Sequence, residues 1–202
     1  MRPRARRQRG IAVLGAEDAN MSPEIIRLTK IEAAERQLRE AIRLFAEGRD
    51  PVIVRTVASA AHQVLNDLSK TRGFGSFIKD SPYLRPEKKS EWIGMVNSAQ
   101  NFFKHADHDP EAVLDFYPEF TKFLLLDAVE MHLTLRKCLF LEGLVFRVWI
   151  YVNYPQFFAD QGLRGQFEDF ARQLGTQVND FGKALKTVES LVRSGHISLP
   201  GT

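Results

Sequence analysis

The stretch from Asn97 to Asp109 concentrates the side chains of this sequence that could do chemistry. Asn97, Asn101 and His105 recur every four residues, so on a helix they share one stripe, opposite Val96 and Phe103. Histidine can move protons near neutral pH, and asparagine can hold a polar ligand by hydrogen bonds. Gln100 and Lys104 adjoin the stripe. Glutamine can hydrogen-bond phosphate but supplies no charge. Lysine supplies a charge, here about 100° round the helix from His105. Asp107, His108 and Asp109 follow, and imidazole and carboxylate together suit zinc, manganese or iron, with His62, Glu130 or His132 as remote completions. The spacing fits no zinc pattern, however, and Asp109-Pro110-Glu111 reads equally as a helix cap and start. No metal and no cofactor is therefore expected. A solvated helix face would carry the same Asn–His stripe, so both readings stand at this level.

Other candidates are weaker. Cys138 is the only cysteine, which excludes an intramolecular disulfide and points to a reducing, cytoplasmic setting. It precedes an apolar run and is expected to be a buried, inert thiol. His62 lies about 140° from the apolar stripe of its segment and is expected at the surface. Asp127 and Glu130 share a stripe of a later segment; they are expected to face water or hold polar contacts, with orientation of His105 as the alternative. There is no Walker-type phosphate loop and no Gly-x-Ser-x-Gly elbow.

These side chains must be positioned by helices, since no segment alternates as a strand does. Ser22-Pro23-Glu24 reads as a cap and start, followed by Leu28, Ile31, Leu38, Ile42 and Phe45. Gly48 stops that helix and Asp50-Pro51 opens the next, with Ile53, Val57, Ala60, Ala61, Val64, Leu65 and Leu68 as its apolar side. So short a connection implies an antiparallel hairpin. Residues 72–86 read as a long loop whose aromatics anchor it. A third helix spans about Glu87 to Lys104, and Pro118 opens a fourth through Phe123, Leu126, Val129 and Leu133. A fifth, Leu139 to Asn153, is apolar nearly all round and should be central. It is too short and too charged to span a membrane. From Leu163 to Val192 apolar residues recur every three or four positions, which implies one long helix or two nearly collinear ones. That seam serves either intramolecular packing or a dimer.

Charge divides the chain. Residues 1–20 hold five arginines, Arg2, Arg4, Arg6, Arg7 and Arg9, against Glu17 and Asp18, a net of +3. The remainder carries 23 basic and 23 acidic residues and is neutral. The leading segment is expected to be a basic disordered arm or an extension ahead of a start at Met21. A neutral body is a poor electrostatic match to RNA.

The hairpin start, the Asn101-x-x-x-His105 motif closing a helix, and the all-α pattern resemble the HEPN superfamily. NFFKHADHDP from Asn101 and FLLLDAV from Phe123 are also similar to an uncharacterised bacterial family of small helical proteins. Together these cover roughly residues 22–135. The resemblance implies a helical bundle, commonly dimeric, with a nucleic-acid or nucleotide role. It implies ribonuclease action in some members, association with toxin or defence systems, and an antitoxin-like protein partner. It places His105, Asn101, Gln100 and Lys104 at a catalytic site, with Asn97, Asp107 and His108 assisting binding. The family's arginine place holds Gln100, so binding without cleavage is the expected form. The expected architecture is an all-α, antiparallel four-helix bundle over 22–156, preceded by the arm 1–21 and followed by packed C-terminal helices over 157–202. The rival expectation is a non-catalytic helical module for protein interaction or dimerisation.

Overall fold

The computed structural model describes residues 25–81, 84–107, 109–157, 165–169, 172 and 179–198. Among these, all regular structure is helical. The main elements are α1 (Lys30–Ala46), α2 (Pro51–Lys70), α3 (Lys89–Lys104), α4 (Thr121–Arg136), α5 (Leu141–Asn153) and α6 (Phe181–Arg193).

Helix α1 starts later than Pro23. Residues 25–29 are not helical, and Leu28 is exposed. The cap is Thr29, whose hydroxyl accepts from the Glu32 amide at 3.3 Å while the Glu32 carboxylate accepts from the Thr29 amide at 2.8 Å. That reciprocal pair satisfies two amides a helix start leaves open, which the Ser-Pro signal upstream cannot do for this helix. Gly48, at φ +62°, ends the turn after α1. Asp50 then caps α2 by accepting from Val52 and Ile53 amides at 2.8 and 3.4 Å, with Pro51 in the first helical position. Pro118 opens a short 3-10 turn, and α4 proper begins at Thr121.

Contacts fix the directions. Arg55 reaches the Val96 carbonyl, and Lys89 and Trp92 lie against Asp80 and Ile78, beyond the far end of α2. Helix α3 therefore runs antiparallel to α2. His62 meets Asp127 and Arg72 meets the Leu135 carbonyl, so α2 and α4 run side by side in the same sense. Arg147 meets Glu130 across the α4–α5 turn, which makes that pair antiparallel.

The core is filled by Leu38, Ala41 and Ile42 of α1, Ala58, Ala61 and Leu65 of α2, and Leu125, Val129 and Met131 of α4, with Phe146 and Ile150 of α5. Helix α5 has no exposed residue and packs against α1, α4 and α6. Phe45, Phe146, Trp149 and Phe181 form one aromatic knot joining α1, α5 and α6. The seam residues Phe181, Leu185 and Val188 are buried in this knot and its surroundings, so the described part of the seam serves intramolecular packing. The seam is not one continuous helix: Asp180 is extended (φ −105°, ψ 102°) and caps α6 through the Lys183 amide. The rest of the seam, apart from 165–169 and 172, lies outside the described residues, as does the basic arm. No helix among the described residues is long and apolar enough to cross a membrane.

Candidate functional site

Helix α3 is the least embedded of the six. Only Ala99 is buried along it, although Ile93, Val96 and Phe103 turn partly inward as their spacing predicts. It is held instead by polar ties. The Arg55 guanidinium donates to the Val96 carbonyl at 2.8 Å, the Trp92 indole donates to the Ile78 carbonyl at 2.7 Å, and Lys89 pairs with Asp80 at 2.9 Å. Burial pushes the Asp80 carboxyl up, but the hydrogen bond from Lys89 and the charge of Lys70 outweigh it and hold Asp80 below its ordinary value.

The structure places Asn101, Lys104, His105 and Asp107 at the exposed end of this helix and just past it. Asn97 and Gln100 are half-buried. His108 lies outside the described residues. Asn101 and His105 meet through the backbone, the His105 amide closing α3 on the Asn101 carbonyl at 3.0 Å. The remote groups that could have completed a metal shell are engaged elsewhere: His62 with Asp127, His132 with Glu35 and Glu130 with Arg147. Among the described residues no three His, Cys, Asp or Glu side chains are grouped to hold a metal.

What surrounds the end of α3 is apolar and acidic. Phe102 and Phe103 meet edge to face, and Phe103 meets Phe116 the same way at 5.3 Å, which folds residues 109–117 back onto α3. Large apolar side chains remain in water there: Met95 (56% exposed), Phe102 (38%), Val113 (92%), Tyr117 (65%) and Phe120 (62%). Residues 101–120 carry one cation, Lys104, against Asp107, Asp109, Glu111, Asp115 and Glu119, a net of −4.

A second polar cluster lies inside the protein, where the sequence reading did not place one. His62 is buried rather than at the surface, and so is Asp127. Asp127 accepts from the His62 Nε2 at 2.8 Å, from the Phe77 amide at 3.0 Å and from the Ser76 hydroxyl. The Ser76 oxygen in turn accepts from the Lys79 amide at 2.9 Å, and the Asn66 side chain accepts from the Ser76 amide at 3.3 Å. The cause is that α2 is covered on two sides. Ala58, Ala61 and Leu65 join the apolar core, while Arg55, Ser59, His62, Asn66 and Ser69 form a second, polar stripe that meets α4, α3 and the 71–81 loop. Burial pushes the His62 imidazole and the Lys79 amine below their ordinary values.

Ser76, His62 and Asp127 have the composition of a nucleophilic triad but not its order. A triad needs histidine between serine and carboxylate, so that imidazole takes the hydroxyl proton. Here the carboxyl group stands in the middle: serine and histidine both reach its Oδ2 atom. All three side chains are also shut away from solvent. The cluster's work is to pin the 71–81 loop, and through Ile78 and Asp80 the start of α3, to the α2–α4 pair. A spacing signal existed in the sequence, because Arg55, Ser59, His62, Asn66 and Ser69 follow steps of four, three, four and three.

Cys138 is exposed, not buried. It follows Lys137, whose left-handed backbone (φ 61°) ends α4 and turns the chain outward before Phe140 re-enters the core. Comparisons with protein-family models, with curated proteins and with solved structures give no match.

Proposed function

We propose that this chain is a non-catalytic helical interaction protein that self-associates through the face formed by α3 and residues 109–120. One observation carries the reading: Met95, Phe102, Val113, Tyr117 and Phe120 stay exposed on or beside a helix with only Ala99 buried. Exposed apolar groups also stand elsewhere, at Ile25, Ile26, Ile53 and Phe77, but only the α3 and 109–120 set is rich in rings, and aromatic residues supply much of the energy of contact sites. Chemistry argues the same way. His105 and Asn101 sit in open solvent, and the net of −4 over residues 101–120 repels a phosphate backbone. Sedimentation equilibrium of the full chain at micromolar concentration tests the reading. Dimers are expected for the wild type, and monomers of unchanged helical content for Phe102→Ser combined with Tyr117→Ser. A wild-type monomer refutes it.

A second reading keeps the HEPN-like resemblance: a bundle whose dimer brings two α3 ends together and binds RNA or nucleotide there. What favours it is the exposure of Asn101, Lys104 and His105 in one short stretch. Its test is RNA binding and cleavage by wild type and His105→Ala. Loss of either activity in the variant supports this second reading, and unchanged behaviour removes His105 from any site.

A further inference from the structure

We infer that the arginine-rich segment Arg2 to Arg9 of this chain docks on the acidic, aromatic surface at the end of α3. This rests on the reading of that face as a contact surface and names what covers it. Two properties of the surface select arginine. Exposed rings of Phe102, Tyr117 and Phe120 offer faces on which a guanidinium stacks. Exposed carboxylates at Asp109, Glu111 and Asp115 offer planar acceptors that match its fork of donors. Glu119 is already engaged by Lys122 and is left out of the count.

Charge balance points to the same segment. Residues 2–9 carry five arginines and no acid, residues 101–118 have a net of −3 without the paired Glu119, and the chain beyond residue 20 is neutral as a whole. The strongest positive and negative stretches of the chain are these two.

Length permits the contact within one chain or between two. Helix α1 starts at the end of the body where α2 finishes, and the acidic surface lies toward the end where α2 begins. Those ends are about 25–30 Å apart at a helical rise of ~1.5 Å per residue. The 16 residues from Arg9 to Ile25 can span up to roughly 55 Å when extended. Docking in trans would add a basic arm to each side of a dimer; docking in cis would shield the face of a monomer.

The test uses the full chain and hydrogen exchange of the amides over residues 109–117. One variant replaces all five arginines by glutamate. A second replaces Asp109, Glu111 and Asp115 by lysine. A third combines both sets, which restores opposite charges with the signs exchanged. Docking predicts exchange about tenfold faster in each of the first two than in wild type, given several partly exposed ion pairs of modest individual strength. It predicts partial recovery in the third, because glutamate and lysine restore the ion pairs but not the stacking on the rings, and in wild type a loss of protection at high salt. Equal exchange in all four proteins overturns the proposal, and so does a third variant that behaves as the sum of the first two. Sedimentation of the same samples separates this result from the self-association reading. A monomer whose 109–117 amides respond to the charge exchange retains docking and loses self-association. A dimer whose amides do not respond retains self-association and loses docking.

Discussion

Removing the Asp127 carboxyl group should unfasten the inside of this protein. Three donors converge on it: the His62 imidazole at 2.8 Å, the Phe77 amide at 3.0 Å and the Ser76 hydroxyl. Asp127→Ala leaves all three without their acceptor in a region closed to bulk water. A buried donor left unsatisfied costs about 1–3 kcal/mol, so three cost about 3–6 kcal/mol after water or relaxation recovers part of the loss. That is a large share of the ~5–15 kcal/mol by which a domain is stable. Asp127→Asn is the matched control. It keeps the acceptor for the Phe77 amide, and its new amide can donate to Ser76, so about 1–2 kcal/mol is expected. Urea unfolding near neutral pH is the assay. With a slope of ~2 kcal/mol per molar, the alanine variant should move the midpoint by roughly 2 M and the asparagine variant by under ~1 M. Trp92 fluorescence in the native state should also change for the alanine variant, because the Trp92 indole donates to the Ile78 carbonyl in the loop that Asp127 pins. Midpoints for the two variants within experimental error of each other would refute the reasoning.

Three further outcomes follow from other places in the molecule. Burial pushes both His62 and His132 below the ordinary histidine value of 6.5. The unfolded chain therefore binds protons below about pH 6.5 that the native chain resists, so stability is fully present above that value and falls with pH beneath it. The limit is ~1.4 kcal/mol per pH unit for each histidine. Urea midpoints that stay level from about pH 7.5 to 5.5 would contradict this, and His62→Gln should flatten the profile. A methyl group on Gly182 would stand 2.5 Å from the Ala46 carbonyl, whereas one on Gly94 would meet nothing within 4 Å. Thermal melts should show Gly182→Ala destabilised by about 1–2 kcal/mol through overpacking. Gly94→Ala should be stabilised by up to ~1 kcal/mol through helix propensity. Finally, exposed Cys138 should react with a thiol reagent under native conditions, without the lag that prior unfolding would impose.

Legibility in the sequence followed the number of neighbours each residue has. Asp50-Pro51 was readable because a cap works through its own amides two and three residues on. Helix α5 was readable because apolar residues on every side admit one environment. The start of α1 was misplaced because two cap signals lie seven residues apart, and Thr29-x-x-Glu32 is the one that closes reciprocally. His62 was misplaced for a different reason. An apolar stripe defines one covered side; the polar steps from Arg55 to Ser69 mark a second stripe, but they do not name α4 and the 71–81 loop as its cover. A polar residue there is buried by chain segments far away, His62 by Asp127 across 65 positions. The same limit hid Cys138, whose exposure depends on the left-handed turn at Lys137 rather than on the apolar run that follows. At the end of α3 the expected stripe divides: Asn101 and His105 are exposed, Asn97 is half-buried, and His105 is already extended. Its company of exposed rings was not readable, since nothing local tells whether Phe102 and Tyr117 face the core or the water.

Oxidative footprinting of the full chain across a range of protein concentrations tests the central claim most directly, because it reports on the contact face itself. Self-association through α3 and residues 109–120 predicts that Met95, Phe102, Tyr117 and Phe120 become protected together as concentration rises, while Phe157 and Cys138 react at a constant rate. Protection that never develops at those four residues, or that develops equally at Phe157 and Cys138, would contradict it.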